Sequence, residues 1–312
     1  RERICMLDRK IYDKLGRLAL GMSHKSNLNM SGSRKSVQKG SSAEFSDFRE
    51  YMPGDDLRRM DWNAYARLDK LYIREYLEEK EAVVSVLIDT SASMDYGARS
   101  KAELAVDLAA VVSFLALNNM DRLMLYDMKD MNRPLSVGGG KNAFPRVLHW
   151  LERLTFSGET DMLSAAAGIK RRGPGVTVII SDFLHPGMLE ETEVTKKQAG
   201  EQTALPGRKG YEKLLQYLQY CKQRPVILHT LAEEELRITL TGALNLIDAE
   251  TDASLRLTVD ARAVESYEKE LNRLTERMKR GCAAGRGTYV LCGTGREREQ
   301  LVFQDLRVIY DI

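Results

Sequence analysis

The sequence predicts an α/β fold: a doubly wound, mostly parallel sheet with a small β insertion and an N-terminal module of irregular and β structure. Residues 82–88 and 176–181 form nearly continuous apolar runs rich in β-branched side chains. Such runs are typical of parallel strands that are buried on both faces. Segments with helical spacing alternate with the apolar runs, which indicates right-handed crossovers between parallel strands.

Residues 1–80 are expected to form an N-terminal helix and module. Apolar residues recur at helical spacing in residues 1–20, and residues 21–42 are rich in Ser, Gly and Lys, which favours a flexible stretch. Residues 45–76 alternate charged and aromatic side chains without a clear period, so we expect irregular structure with short strands. Their arginines and aspartates are nearly balanced, which favours internal ion pairs over a recognition surface. Trp62 is expected to anchor a core.

Residues 81–312 are expected to form the sheet domain. The predicted strands are 82–88, 122–128, 176–181, 225–231 and 288–292, and the predicted helices are 101–118, 143–154, 161–171, 211–223 and 261–279. Two segments interrupt this alternation. A polar insertion is expected near 190–210 and a small β insertion near 236–259.

Composition argues for a soluble protein without a nucleic-acid partner. Of 312 residues, 43% are hydrophobic and 29% charged, and the net charge is only +2. The basic loop at 33–39 lacks the aromatics of a nucleic-acid site. No apolar run is long enough for a membrane span, and the four cysteines form no Cys-x-x-Cys pair. These features predict a cytoplasmic location with reduced thiols.

Oxygen-bearing side chains follow the ends of the predicted strands. They are Asp89, Ser91, Ser93, Thr160 and Asp182. Each could instead cap a helix, which is the common role of such residues after a strand. Loops at the carboxyl edge of an open parallel sheet converge on one crevice, however, and hard oxygens suit Mg²⁺. We therefore predict a metal site, for Mg²⁺ or alternatively Mn²⁺ or Ca²⁺.

This ordered set resembles the metal-ion-dependent adhesion site of von Willebrand factor A domains, over about residues 82–292. The resemblance implies that Ser91, Ser93 and Thr160 contact the metal directly, and that Asp89 and Asp182 act mainly through water. It further implies an open coordination position that accepts a carboxylate from a partner protein.

The stretch from Gly40 to Trp62, with its core Tyr51-Met52-Pro53-Gly54-Asp55-Asp56, is similar to the signature of the bacterial and archaeal domain-of-unknown-function 58 family. Residues 66–67, 78–81 and the acidic stretch 248–251 continue the similarity. Genes of that family commonly lie beside those of MoxR-type AAA+ ATPases. The resemblance therefore implies that such an ATPase and a client protein are the partners.

Two classes of function are open on these residues. The first is a metal-dependent protein-binding module, which is not an enzyme. The alternative is a Mg²⁺-dependent phosphatase or hydrolase with Asp89 as nucleophile. Such enzymes usually need a general acid two residues further on, where this chain has Ser91, so binding is favoured. The sequence has no Walker-type phosphate loop, so the chain is not expected to be the ATPase itself.

Overall fold

The computed structural model describes residues 7–17, 19–20, 44–77, 83–169, 175–185, 188, 191–194, 205–250 and 253–311. The predicted flexible stretch 21–42, the basic loop within it, residues 78–81 and Cys5 lie outside the described residues. The chain divides into two compact units. The sheet unit comprises residues 1–23 and 82–312, and the signature module comprises residues 24–81.

The strands alternate with helices along most of the chain. In chain order the strands are β1 (Ala19–Leu20), β2 (Glu44–Glu50), β3 (Tyr72–Leu77), β4 (Val83–Ile88), β5 (Arg122–Asp127), β6 (Leu135–Val137), β7 (Gly175–Ser181), β8 (Glu191–Val194), β9 (Leu205–Lys209), β10 (Gln223–Leu231), β11 (Gly242–Ile247), β12 (Ser254–Val259), β13 (Thr288–Gly293) and β14 (Tyr310–Asp311). The helices are α1 (Arg9–Leu15), α2 (Trp62–Leu68), α3 (Lys101–Asn118), α4 (Phe144–Leu151), α5 (Met162–Gly168), α6 (Gly210–Tyr220), α7 (Glu233–Leu236), α8 (Ala261–Ala284) and α9 (Arg298–Phe303).

The central sheet has six strands in the order β13-β10-β7-β4-β5-β6. Its first five strands are parallel, and β6 pairs antiparallel with β5 at the edge. The mostly parallel α/β sheet predicted from the sequence is therefore confirmed. The short edge strand β6 was not predicted, because three residues are too few to show a period.

Alternation along the central strands places side chains in two core layers. Val84, Val86 and Ile88 of β4 face a layer that contains α3, whereas Leu87 faces a layer that contains α5 and α6. Every residue of β4 and β7 is buried, as expected for strands covered on both sides. Because β4 and β7 are paired in register at their ends, with Ile88 opposite Ile180, the loops that follow them begin side by side.

Helix α1 belongs to the sheet unit. Leu15 is completely buried in the same core layer as α3. The sequence analysis grouped this helix with residues 1–80, because nothing in its own spacing shows which partner covers its apolar face.

The signature module contains an antiparallel pair, β2 and β3, and helix α2. Asp61 caps α2 by accepting hydrogen bonds from the backbone of Asn63 and Ala64, and Arg49 pairs with Asp55 at 2.8 Å. The prediction that Trp62 anchors a core is wrong, since 64% of its surface is exposed. Trp62 is the first residue of α2, and none of the residues of that helix with a described burial is buried.

The two predicted insertions contain hairpins. Strands β8 and β9 pair antiparallel within the first, and β11 and β12 pair antiparallel within the second. Among the helices that the structure describes, none combines the length and apolarity needed to cross a bilayer.

Candidate metal centre

The candidate site lies where the strand order of the sheet reverses. From β4 the chain passes to β5 on one side, and later to β7 on the other. Asp89 follows β4 and Asp182 follows β7, so both residues leave the carboxyl ends of neighbouring parallel strands. In open parallel sheets this crevice is the usual place for a ligand.

Asp89 is buried and held at both carboxylate oxygens. Its Oδ1 accepts a hydrogen bond from the backbone of Ser91 at 3.0 Å, and its Oδ2 accepts one from the Ser181 hydroxyl at 2.6 Å. Burial raises the pKa of Asp89, and repulsion from the nearby Asp182 raises it further. Two buried acids that repel each other in this way would be stabilised by a cation between them.

Ser91 and Ser93 present neighbouring hydroxyls. Their Oγ atoms lie 3.0 Å apart, at the start of a short 3₁₀ helix, Ala92–Asp95. Ser91 occupies the cap position of this helix, but its side chain makes no capping hydrogen bond. Its hydroxyl is therefore not used in the capping role that was the alternative explanation of this residue.

The loop that carries Thr160 is joined to the Asp89 loop by backbone hydrogen bonds. Ser157 donates to the carbonyl of Thr90, and Ala92 donates to the carbonyl of Gly158 at 2.8 Å. Lys129 supports the same loop by donating to the carbonyl of Ser157 at 2.7 Å. These contacts bring the third predicted segment beside the first.

The Thr160 hydroxyl has no hydrogen-bond partner, although the residue is only 6% exposed. The neighbouring Asp161 caps α5 instead, by accepting from the backbone of Leu163 and Ser164. Thr160 is thus free of the capping role. A buried hydroxyl without a partner is costly, and such groups need an explanation such as a bound ion.

Asp182 is bound by a buried lysine that sequence reasoning did not identify as part of the site. Lys101, the first residue of α3, donates to Oδ2 of Asp182 at 2.7 Å and to Oε1 of Glu235 at 2.6 Å. Burial alone lowers the pKa of Lys101, but the two carboxylates outweigh it and the pKa is raised. Lys101 is therefore a charged ammonium at neutral pH.

His229 supports Asp182 from below the site. Its Nε2 lies 2.7 Å from the Asp182 carbonyl, and its Nδ1 lies 2.7 Å from the Tyr289 hydroxyl. Complete burial lowers the pKa of His229 to about 4, so the ring is neutral at pH 7. Because a carbonyl only accepts, Nε2 carries the proton and Nδ1 accepts from Tyr289.

A further acid reaches the site from the β11–β12 hairpin. The Ser93 hydroxyl is within hydrogen-bonding reach of the Glu250 carboxylate, which also interacts electrostatically with His185, Asp89 and Asp182. Sequence reasoning noted residues 248–251 as an acidic stretch but gave them no place in the site. No local spacing connects Glu250 to Ser93, because the contact depends on how the hairpin folds back.

The donor set fits a hard divalent cation. No group of three or more His, Cys, Asp or Glu side chains within the described residues is arranged to hold a metal. The candidate site instead combines two buried carboxylates with three hydroxyls, one of which has no partner. Magnesium accepts such oxygen ligands and commonly keeps waters, so few carboxylates are needed.

Comparison with known proteins gives relatives without an assigned function. The chain is 31% identical over 187 residues to uncharacterized proteins of Mycobacterium bovis and Mycobacterium tuberculosis. The match covers 57% of this chain and spans 59% of the length of those relatives.

Two solved structures show weak similarity. A conserved hypothetical protein, BatB, from Bacteroides thetaiotaomicron is 10% identical with a TM-score of 0.37, and covers 73% of this chain and 98% of its own. An aerotolerance-related membrane protein from Bacteroides fragilis is 12% identical with a TM-score of 0.34, and covers 73% and 99%. Scores of this size carry no argument about fold or function.

The family is shown by a sequence model. The model described as "Protein of unknown function DUF58" matches residues 47–277, which is well over half of the chain and takes in most of the signature module and much of the sheet unit. The chain belongs to the DUF58 family.

Proposed function

We propose that the chain is a metal-dependent protein-binding module with a von Willebrand factor A-type fold. Asp89, Ser91, Ser93, Thr160 and Asp182 would hold a divalent cation, which would be Mg²⁺, Mn²⁺ or Ca²⁺. When bound, the cation would supply a coordination position for a carboxylate of a partner protein. The reversal of strand order beside the Asp89 and Asp182 loops supports this fold and this position for a ligand.

One observation carries the metal proposal. The Thr160 hydroxyl is buried without a hydrogen-bond partner, in a loop bonded to the one that presents Asp89, Ser91 and Ser93. Sheets and helices satisfy nearly all of their buried polar groups, so an unsatisfied hydroxyl beside two mutually repelling acids indicates a missing positive ligand.

Lys101 gives the site its second feature. Its ammonium neutralises part of the charge of Asp182 while Glu235 shares the same ammonium. The lysine would hold the Asp182 carboxylate in one orientation, with Oδ1 fixed by the backbone of Leu184 at 3.1 Å. It would also lower affinity for the cation, so that binding is reversible rather than permanent.

The partner is proposed from the family resemblance. A MoxR-type AAA+ ATPase and a client protein with an accessible carboxylate are the expected partners, and the cytoplasm is the proposed location. The whole relatives are longer than the part that this chain matches, so these partners are proposed for the chain alone.

We propose a binding role rather than a catalytic one. Both oxygens of Asp89 accept hydrogen bonds, and only 5% of the residue is exposed. A nucleophile needs an oxygen that faces the substrate. The geometry therefore favours a structural and electrostatic role for Asp89 over attack on a phosphate.

The proposed function is tested by co-purification. The chain and a MoxR-type ATPase encoded beside it should associate in Mg²⁺ and separate in EDTA, and an Asp182→Asn variant should associate poorly in both. A Glu268→Gln variant, changed on the exposed face of α8, should behave like the wild type. Equal association in Mg²⁺ and EDTA would contradict a metal-dependent contact.

A further inference from the structure

We infer that Glu250 is an internal carboxylate ligand of the candidate metal site, which a partner's carboxylate must displace. The inference rests on the proposed function and identifies what occupies the open position before a partner binds. The hairpin of β11 and β12 is the element that delivers this acid.

The contacts of Glu250 place its carboxylate among the predicted metal ligands. It lies within hydrogen-bonding reach of the Ser93 hydroxyl and interacts electrostatically with Asp89 and Asp182. Each of these three residues belongs to the proposed donor set, and they come from two different loops. A carboxylate that meets both loops stands on the side of the site from which a partner's acid would approach.

The turn between the hairpin strands is built to present this residue. Asp248 donates its backbone N–H to the carbonyl of Ala253 at 2.8 Å and closes the turn. The Asp248 carboxylate then accepts from the backbone of Glu250 at 2.8 Å. These bonds use the side chain of Asp248 within the turn and leave the Glu250 carboxylate to point elsewhere, as is common in Asx turns.

Three carboxylates that face one another without a cation would repel. An acid that only filled space here would be a poor choice, because a neutral side chain of the same shape could accept the Ser93 hydrogen bond. A divalent cation between the three groups turns this repulsion into attraction. The arrangement therefore favours Glu250 as a ligand of the ion over Glu250 as a structural contact.

The hairpin is also suited to move away. Both of its strands are largely exposed, with Ile247 and Leu255 at 65% and 62%. A two-stranded hairpin without a buried face is only marginally stable by itself. Displacement of its tip would therefore cost little core burial, and a partner's carboxylate could exchange with Glu250.

Titration of Mn²⁺ into the full chain, followed by calorimetry with and without sodium acetate, tests this inference. Glu250→Gln should weaken Mn²⁺ binding about tenfold, the size expected when one charged ligand is lost. Acetate should then strengthen Mn²⁺ binding to the variant, because it fills the open position, and should leave the wild type unchanged. Glu268→Gln is the matched control, and it should behave like the wild type.

Hydrogen exchange gives a second readout that does not need acetate. Mn²⁺ should protect backbone amides of residues 245–257 in the wild type and not in Glu250→Gln. Equal Mn²⁺ affinity in both proteins, or an equal acetate effect in both, would overturn the role of Glu250 while leaving the metal site in place. Failure of the wild type itself to bind Mn²⁺ would overturn both this inference and the proposed function.

Discussion

The Nζ atom of Lys101 lies 2.7 Å from Oδ2 of Asp182, and both side chains are almost completely excluded from solvent. The same Nζ is bound by Glu235, so one ammonium joins the start of α3 to the end of β7 and to α7. Buried carboxylates need a compensating charge, and Lys101 supplies it whether or not a cation is present.

Lys101→Met should therefore destabilise the protein in EDTA by about 3–5 kcal/mol, because it leaves two buried carboxylates without their partner. Mg²⁺ should restore part of that stability, and should do so more strongly than in the wild type, because binding to the folded state stabilises it. Urea unfolding with and without Mg²⁺ measures both effects. Lys269→Met, which breaks the exposed pair with Glu265, should cost less than about 1 kcal/mol. Equal losses for the two variants would contradict the role of Lys101.

His229→Phe tests the support beneath Asp182. The change leaves the Asp182 carbonyl and the Tyr289 hydroxyl without their partner, at about 1–3 kcal/mol for each group that stays buried. Tyr289→Phe alone removes one hydrogen bond and should cost less. In urea unfolding, the double variant should lose less than the sum of the two single losses, since Tyr289 is no longer left unpaired. Simple additivity would show that the two side chains are not coupled.

Asp107 should make stability depend on pH. Burial raises its pKa from 3.8 to about 6, against the lowering effect of Arg298, whose Nε donates to it at 2.7 Å. The unfolded chain loses this proton near pH 4 and the folded chain near pH 6. The stabilisation is thus present below pH 4 and is lost as the pH rises to 6.

Urea unfolding of the wild type and Asp107→Asn at several pH values isolates this effect from the other carboxyls. Relative to Asp107→Asn, the wild type should lose roughly 2–3 kcal/mol between pH 4 and pH 6.5. A difference between the two proteins that stays constant over this range would show that the pKa of Asp107 is not raised.

The sheet and the chain positions of the proposed ligands could be predicted because their signals are local. The runs before Asp89 and Asp182 are buried and β-branched, and parallel strands in one sheet bring their ends together. Thr160 could be predicted only as part of the ordered set. Its free hydroxyl depends on Asp161 taking the capping role, which a sequence with adjacent polar residues does not decide.

The remaining site residues could not be predicted, because their contacts are long-range. Lys101 is 81 positions from Asp182, and the ion pair forms only when α3 packs beside β7. Lys101 was read as the solvated first residue of a helix, which is the usual place for a lysine. Trp62 failed for the opposite reason. An aromatic residue in a charged block usually anchors a core, but here it begins a helix without a buried face.

The central claim is a cation held partly by the unpartnered Thr160 hydroxyl, and Mn²⁺ titration of Thr160→Val tests it most directly. Valine keeps the shape and removes only the oxygen, so the variant should fold as the wild type does and bind Mn²⁺ at least about tenfold more weakly. Thr155→Val, changed at an exposed position in the same loop region, should bind as the wild type does. If Thr160→Val is more stable than the wild type in Mn²⁺ and binds Mn²⁺ equally well, or if the wild type does not bind Mn²⁺, the account is contradicted.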